Sequence, residues 1–201
     1  MQGFEYPTSP HIRRHGPGGY QDYESYRDWL RDEFMFRCVY CLHREQWYDR
    51  GATFHIDHFF PVAVDPNGNL VYINLLYACA TCNNAKRDLL GIPNPCNIAF
   101  ADCVRIKETS EVDALNVAGE SLVKKLRLNS VKNVQYRFRW MRMLATLQTS
   151  NPELYREFMA FPDELPDLRV KAKRVPLNSK SGSAVDCCFA LRERGELPAI
   201  Y

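Results

Sequence analysis

Two Cys-x-x-Cys pairs restrict the fold of this chain more than any other feature of its sequence. Cys38 and Cys41 form the first pair, and Cys79 and Cys82 form the second. A tight turn lets both thiolates of a pair bind one ion, and four thiolates suit tetrahedral Zn²⁺. The alternative is four unrelated free thiols. The spacing predicts a closed structural zinc site that clamps the segment between the pairs, so any catalysis requires a second site.

The absence of export signals leads to expectations for the redox state of the cysteines and for the location of the chain. The N-terminal residues contain no apolar stretch typical of a secretion signal, and no run approaches the roughly 20 apolar residues that span a bilayer. We therefore expect a cytoplasmic protein with reduced cysteines and no membrane contact. His43 is an alternative zinc ligand. Four cysteines match no metal-binding pattern and are expected to act as small buried hydrophobic groups: Cys96, Cys103, Cys187 and Cys188.

The segment between the pairs contains polar groups in an apolar, strand-like run, FHIDHFFP. On a strand, His55 and Asp57 lie on one side, and His58 follows at the strand end, where its side chain can enter a cleft. Asn83 comes directly after the second cysteine pair. Asp57 and Asn83 would supply two hard oxygen ligands, which suits Mg²⁺ completed by water and substrate phosphate. His58 beside them would be free to act as a general base.

These residues form the pattern Cys-x-x-Cys … Ile-Asp-His-x-x-Pro … Asn-Leu-x-x-x-Cys-x-x-Cys-Asn-x-x-Lys, which resembles the HNH endonuclease family over roughly residues 38 to 90. The resemblance implies a ββα-metal finger in which His58 activates the attacking water. It assigns the catalytic metal to Asp57 and Asn83, and it makes Asn74 the asparagine that holds the loop and the histidine in place. Asn83 stands where many members have histidine, so the chain is of the His-Asn-Asn variety. An amide oxygen there favours Mg²⁺ or Mn²⁺.

The predicted fold class is α+β, a ββα-metal finger with a structural four-cysteine zinc site embedded in a mainly helical chain. We expect a flexible N-terminal arm at 1–19, a helix plus HNH core at 20–95, and an α-rich extension at 96–201 that packs on the core. Periodicity and turn residues predict these local elements: a helix over 20–37, a hairpin-type turn at 66–69, a short helix over 83–92, strands or a hairpin within 98–128, a helix from Ser130 with an apolar stripe of Val131, Val134, Phe138, Met141 and Leu144, a helix opened by Asn151-Pro152, and a basic loop followed by a short helix in the last 30 residues.

Positive charge is concentrated in one part of the chain although the net charge is only +2. Between Ser121 and Ser150 there are seven Lys or Arg residues and no Asp or Glu. Such an excess can follow a phosphate backbone or form a solvated helix face. Arg13 and Arg14 in the N-terminal arm could enter a minor groove or be inert. The candidate substrate-binding residues are His55, Lys86, Arg137, Arg139 and Arg142, with a structural histidine at position 55 and a solvent-capping lysine at position 86 as the alternatives.

The resemblance and these residues together predict a metal-dependent endonuclease that hydrolyses phosphodiester bonds in DNA. A zinc-stabilised nucleic-acid-binding module without cleavage is the main alternative, although such a module would be expected to lose Asp57, His58 or Asn83. An RNase using the same site is a further alternative, because the finger contacts backbone shape and charge. Family analogy suggests a bacterial or phage defence or mobile-element setting, with a partner ATPase or sensor subunit as an expectation of that analogy that no residue indicates.

Overall fold

A computed structural model of the chain describes residues 3–47, 54–173 and 184–201. The strands are β1 (Phe54–His58), β2 (Leu75–Cys79), β3 (Val104–Ile106) and β4 (Val112–Ala114). The α-helices are α1 (Arg27–Glu33), α2 (Ala80–Lys86), α3 (Val117–Lys125), α4 (Val131–Ser150), α5 (Pro152–Met159), α6 (Leu168–Ala172) and α7 (Cys188–Glu193). Two small antiparallel sheets among helices confirm the predicted α+β class.

The first sheet and the helix after it form a ββα unit. β1 pairs antiparallel with β2, and His58 lies opposite Leu75. All five residues of β2 are buried because α1 packs against this strand, whereas β1 exposes His55. α2 follows β2 directly and packs against β1. The C-terminal end of β1 therefore lies beside α2, which brings two segments that carry candidate site residues together.

The connection between β1 and β2 differs from the predicted hairpin-type turn. Residues 59–74 form a long loop that contains two 3-10 turns, Pro66–Leu70 and Tyr72–Asn74. The Asp65 carboxylate accepts a hydrogen bond from the Gly68 N–H at 3.1 Å, which stabilises the first turn. A turn is thus present at the predicted place, but it belongs to a loop that covers the end of the sheet.

Two helices of the ββα region have bounds that differ from the predicted ones. The helix expected over 20–37 is a 3-10 turn at Tyr23–Tyr26 followed by α1, because Met35 and Phe36 take positive φ angles of 55° and 54° and end it. The helix expected over 83–92 begins earlier, at Ala80, and ends before Arg87, whose φ is 43°.

Residues 98–128 contain the expected hairpin, β3 and β4, but their second half is helical. Asn116 caps α3 by accepting a hydrogen bond from the Gly119 N–H at 2.9 Å. A β-carbon at Gly119 would lie 2.0 Å from the Cys103 carbonyl oxygen, so only glycine allows α3 to approach β3 this closely. The strands expected within 98–128 therefore stop at β4, and Leu122 is buried on a helix.

The long helix α4 and its successor α5 confirm two predicted helix starts. The Ser130 hydroxyl accepts from the Asn133 N–H, and the Asn151 side chain accepts from the Leu154 N–H. The predicted apolar stripe of α4 is wrong at two positions, because Val131 is 70% exposed and Phe138 is 42% exposed. The buried face contains Arg137 and Leu144.

The N-terminal segment has no helix or strand over residues 3–19, but it is not a loose arm. Phe4 and Tyr6 belong to the hydrophobic core, and His15 is buried. Arg14 donates to the backbone carbonyl of Asp32 and, at 2.8 Å, to its carboxylate. These contacts correct the expectation of a flexible arm for residues 3–19, and they engage Arg14 within the protein. Residues 1–2 lie outside the described part of the chain.

Several smaller expectations are also resolved. Cys103, Cys187 and Cys188 are buried as predicted, and Cys96 is half-buried. The last short helix is α7, whereas the basic loop at 174–183 lies outside the described residues. Within the described ranges, no helix combines the length and the apolar character needed to cross a bilayer. The division of the chain at residue 95 remains a prediction.

Candidate functional site

The two Cys-x-x-Cys pairs meet in the interior, at one end of the ββα unit. Cys38 and Cys41 lie in a turn that is closed by hydrogen bonds from the Cys38 N–H to the His43 carbonyl and from the Leu42 N–H to the Cys38 carbonyl. Cys79 ends β2, and Cys82 lies on α2. The four Sγ atoms all lie within 4.8 Å of one another, and all four residues are buried. A single ion can therefore be reached by all four sulfurs.

This cluster fits a structural zinc ion. Tetrahedral Zn–S bonds of about 2.3 Å place neighbouring sulfurs about 3.8 Å apart, and the Cys41 and Cys79 sulfurs are 3.6 Å apart. Four buried thiolates leave no position for water or substrate, so the ion would stabilise the fold. His43 is not a member of the cluster. Burial lowers the pKa of His43 to about 4, which keeps its ring neutral.

The Asp57 carboxylate is buried between two donors near the end of β1. Its Oδ2 accepts a hydrogen bond from the Tyr40 hydroxyl at 2.6 Å, and its Oδ1 forms an ion pair with the Lys86 Nζ at 2.9 Å. Burial raises the pKa of Asp57, and the positive charge of Lys86 opposes that shift. The carboxylate is therefore fixed in place by groups from the cysteine turn and from α2.

Lys86 is one of the least exposed side chains in the region, at 1%. Besides its ion pair with Asp57, its Nζ donates to the His58 carbonyl oxygen at 2.6 Å. The lysine was expected either to contact phosphate or to face solvent, and the structure corrects both expectations. It joins α2 to the end of β1 instead.

His58 is half-buried at the end of β1, and a backbone carbonyl fixes its tautomer. Its Nε2 lies 3.0 Å from the carbonyl oxygen of Asn69. Because a carbonyl oxygen only accepts, Nε2 carries the proton and Nδ1 carries the lone pair. The ring of Tyr23 contacts the imidazole edge-on, with centroids 5.0 Å apart. The imidazole is thus held in one orientation with a basic nitrogen available.

Asn74 ties the loop after β1 together from within. Its Oδ1 accepts from the Phe60 N–H at 2.8 Å, and its Nδ2 donates to the carbonyls of Phe60 and Gly68 at 3.0 and 3.1 Å. The residue is buried, so these bonds satisfy groups that water does not reach. Gly68 directly precedes Asn69, whose carbonyl oxygen holds His58.

Three of the predicted site residues line one cleft of about 260 Å³: Asp57, His58 and Asn83. Asn83 is half-buried on α2 and has no side-chain hydrogen bond to any residue of the described ranges. Arg87 and Asp88 also line the cleft, where α2 ends. Asn74 lies in the loop between β1 and β2 and does not line the cleft. The arrangement places residues that carry an imidazole, a carboxylate and an amide around a shared space.

The family comparison agrees with this geometry. Residues 38–89 match the family model described as HNH endonuclease. The chain carries an HNH domain. The match covers about a quarter of the chain, and it contains both cysteine pairs, β1, β2 and α2. No curated protein and no solved structure matches the chain. An HNH domain is a nuclease-type, nucleic-acid-cleaving domain, so the substrate class is nucleic acid.

The HNH domain offers donors of the type that a Mg²⁺ or Mn²⁺ ion requires. Asp57 and Asn83 line one cleft, and their side chains carry the carboxylate and amide oxygens that suit such an ion. Each Asp57 oxygen already accepts one hydrogen bond, but a carboxylate oxygen retains a further lone pair. The donor set therefore fits such an ion, with Lys86 as a competing cation on the same carboxylate.

The other predicted substrate-binding residues lie apart from the HNH cleft. His55 is exposed on β1, opposite Ala78, and does not line the cleft. Arg139 and Arg142 are exposed on α4, where Arg142 lies over the ring of Phe138. Their role in binding remains a prediction.

Arg137 requires a correction, because it is 2% exposed. Its guanidinium donates to the carbonyl oxygens of Ser110 and Leu128, the latter at 3.0 Å. A side chain in this position satisfies backbone carbonyl oxygens inside the protein and does not reach a phosphate.

Sequence reasoning also missed two contributors to the site. Tyr40, inside the first cysteine pair, donates to Asp57. Arg87 lines the cleft just after α2. The sequence shows a tyrosine inside a cysteine pair and an arginine next to Lys86. Only the packing shows that the tyrosine binds Asp57 and that the arginine lines the cleft.

Proposed function

We propose that the HNH domain is a metal-dependent endonuclease that hydrolyses phosphodiester bonds in DNA, with His58 as the general base. The observation that carries this proposal is the fixed His58 tautomer at a cleft that Asp57 and Asn83 also line. An imidazole with Nε2 bound to a carbonyl has Nδ1 free to accept a proton. A purely structural zinc module would not need an imidazole held in this way.

In this mechanism, Nδ1 of His58 takes a proton from a water molecule that attacks phosphorus in line, and the 3′ oxygen leaves. The Asn69 carbonyl stabilises the imidazolium that forms, because it accepts from Nε2–H. Asp57 and Asn83 would hold a Mg²⁺ or Mn²⁺ ion, which supplies charge stabilisation for the phosphate and the leaving oxygen.

Asn74 would act as a positioning residue in the same mechanism. It binds the Gly68 carbonyl and both backbone groups of Phe60, so it fixes the two sides of the loop that presents the Asn69 carbonyl. His58 depends on that carbonyl for its orientation. The effect of Asn74 on the reaction is therefore indirect.

A second candidate function is supported by the ion pair between Lys86 and Asp57. An ammonium group on the carboxylate cancels the charge that would attract a divalent cation. An HNH domain with this lysine retained on Asp57 would bind nucleic acid without cutting it. The proposed nuclease requires that the Asp57 carboxylate can pair with Lys86 and bind the metal ion at the same time.

The deciding experiment is cleavage of supercoiled plasmid with and without Mg²⁺ or Mn²⁺ by the wild type and by His58→Ala. We expect metal-dependent nicking or linearisation, and at least a ~10²-fold lower rate in the variant, because general-base catalysis contributes about 10²–10⁴-fold. His55→Ala is the comparison on the same strand. Because His55 lies outside the cleft, any role in binding would change KM and leave kcat intact.

The outcomes separate the candidates. Equal cleavage by wild type and His58→Ala would contradict the assigned base. Intact plasmid with cleaved RNA would identify a ribonuclease that uses this site. Intact DNA and RNA, with DNA still bound, would favour the binding module. The defence or mobile-element setting and a partner subunit rest on the family resemblance and enter this proposal only as its biological context.

A further inference from the structure

A wide groove lies next to the cleft, between the end of α2 and the junction of α3 and α4. Its volume is about 720 Å³. The HNH domain contributes Thr81, Asn84 and Arg87, and the chain beyond residue 95 contributes Arg127, Ser130 and Asn133. The cleft and the groove share Asn84, Arg87 and Asp88 as lining residues. An extended ligand bound at the cleft can therefore continue into the groove.

The groove presents two arginines from different parts of the chain. Arg87 and Arg127 are both exposed, and neither forms an ion pair with another residue of the described ranges. Each lies where the backbone takes a positive φ, 43° and 51°, a conformation that side chains other than glycine and asparagine seldom adopt. Both arginines follow the end of a helix, α2 or α3, where a residue of positive φ commonly terminates the helix, so the two helix ends place them on facing sides of the groove.

The chain on either side of Arg127 is also positively charged. Lys124 and Lys132 flank Arg127 along the chain and are exposed. No acidic residue occurs between Ser121 and Ser150. Asp88 is the one acidic side chain that lines the groove among the described residues. A surface with this excess attracts a polyanion and releases counterions on binding.

We propose that this groove holds the phosphodiester backbone on one side of the cleavage point, with Arg87 and Arg127 each neutralising a phosphate. This inference rests on the proposed function, and it assigns substrate binding jointly to the HNH domain and to the chain beyond residue 95. An acidic protein segment would satisfy the charge as well. The continuity of the groove with the cleft favours the nucleic acid, and exposed Thr81 and Asn84 add the neutral donors that contact phosphate oxygens.

Binding is measured with His58→Ala protein without divalent metal, so that DNA remains uncut, by fluorescence anisotropy of a labelled duplex at a series of salt concentrations. Arg87→Gln/Arg127→Gln in this background is expected to raise Kd at least ~10-fold at low salt. The slope of log K against log salt should become shallower by about 2, because two phosphate contacts are lost. Arg156→Gln is the matched control, since Arg156 is exposed on α5 and does not line the groove.

An unchanged Kd and salt slope in the double variant, shown to be folded by circular dichroism, would overturn the inference. Arg156→Gln should bind the duplex as tightly as the His58→Ala parent, and a loss of affinity equal to that of the double variant would also overturn it. A groove that binds polyglutamate and not DNA would belong to a protein partner and would likewise contradict the proposal.

The two proposals fail in distinguishable ways. If the wild type binds DNA through Arg87 and Arg127 but cuts no nucleic acid, the groove stands and the nuclease is rejected. If the wild type cuts DNA and the double variant binds and cuts equally well, the nuclease stands and the groove is rejected.

Discussion

At the scale of single residues, the ion pair of Asp57 and Lys86 sets the charge balance of the cleft. The side chains are 4% and 1% exposed, and Tyr40 completes the environment of the carboxylate. Removing one member of a buried pair leaves the other uncompensated, which is more costly than removing both. The pair therefore connects the stability of the HNH domain with the state of its proposed metal ligand.

Lys86→Met is expected to lower the free energy of unfolding by about 3–5 kcal/mol, because it leaves the Asp57 carboxylate buried without its cation. The Lys86→Met/Asp57→Asn double variant should recover part of that loss. Urea denaturation of the wild type, Lys86→Met, Asp57→Asn and the double variant measures the coupling energy between the two side chains. Lys132→Met, an exposed change on α4, should stay within about 0.5 kcal/mol of the wild type. Additive losses from the two single changes would contradict the coupling.

The identity of the residues predicted part of the site, whereas the burial of two side chains could be learned only from the structure. Asp57, His58 and Asn83 were predicted to converge because the cysteine spacing brings their segments together, and they line one cleft. Lys86 and Arg137 were assigned to the surface from their charge. Both are buried, since a long cationic side chain can be satisfied by carboxylate or carbonyl oxygens that only the tertiary structure supplies.

At the scale of elements, the end of α1 anchors the N-terminal segment. Glu33 is buried, and its carboxylate binds the His11 ring, the N–H groups of Arg14 and His15, and the Tyr72 hydroxyl. Burial by itself would raise the pKa of Glu33, but the hydrogen bonds from His11 and Arg14 and the nearby positive charges outweigh it, and the pKa falls to about 2.

This depressed pKa predicts a pH-dependent contribution to stability. Because the folded-state value of about 2 lies below the ordinary value of 4.5, the contribution is complete above about pH 4.5 and is lost as the pH falls toward 2. The shift corresponds to about 3 kcal/mol. The difference in unfolding free energy between wild type and Glu33→Gln should therefore shrink between about pH 6 and about pH 2.5.

Urea denaturation at a series of pH values measures that difference. Glu157→Gln, an exposed change on α5, serves as the control and should remain within about 0.5 kcal/mol of the wild type at neutral pH. A difference between wild type and Glu33→Gln that stays constant down to the lowest pH would contradict the assignment.

Element prediction succeeded where local signals were strong. Ser130 and Asn151 cap α4 and α5 as their sequences indicate. The apolar face of α4 was misplaced because Arg137, and not Phe138, faces inward to bind the carbonyls of Ser110 and Leu128. Those acceptors come from other elements, so no periodicity within the helix could identify them.

At the scale of the whole molecule, the cysteine cluster joins the segment before β1 to β2 and α2. Cys82 lies on α2, which lines the cleft together with β1, and Cys79 ends β2, the strand that pairs with β1. We expect the purified protein to contain one zinc ion per chain. Loss of that ion should lower the melting temperature and also abolish cleavage, because α2 carries Asn83 and Lys86.

Metal analysis and thermal denaturation of Cys79→Ser and Cys96→Ser test this expectation. Cys79→Ser should lose zinc and unfold at a markedly lower temperature. Cys96→Ser should retain both zinc and stability, because Cys96 is half-buried and lies outside the cluster. Equal zinc content in the two variants would contradict the four-cysteine site.

Contacts between distant parts of the sequence surround the cysteine turn. Arg44 donates to the carbonyl of Tyr201, and the Trp47 indole donates to the carbonyl of Phe158. Phe4 packs against Trp47 from the other end of the chain. Arg44 and Tyr201 are 157 residues apart, so this contact forms only after both segments have been synthesised. An excised fragment of residues 38–89 would consequently expose surfaces that its own sequence does not cover, so the HNH domain depends on the rest of this chain for its packing.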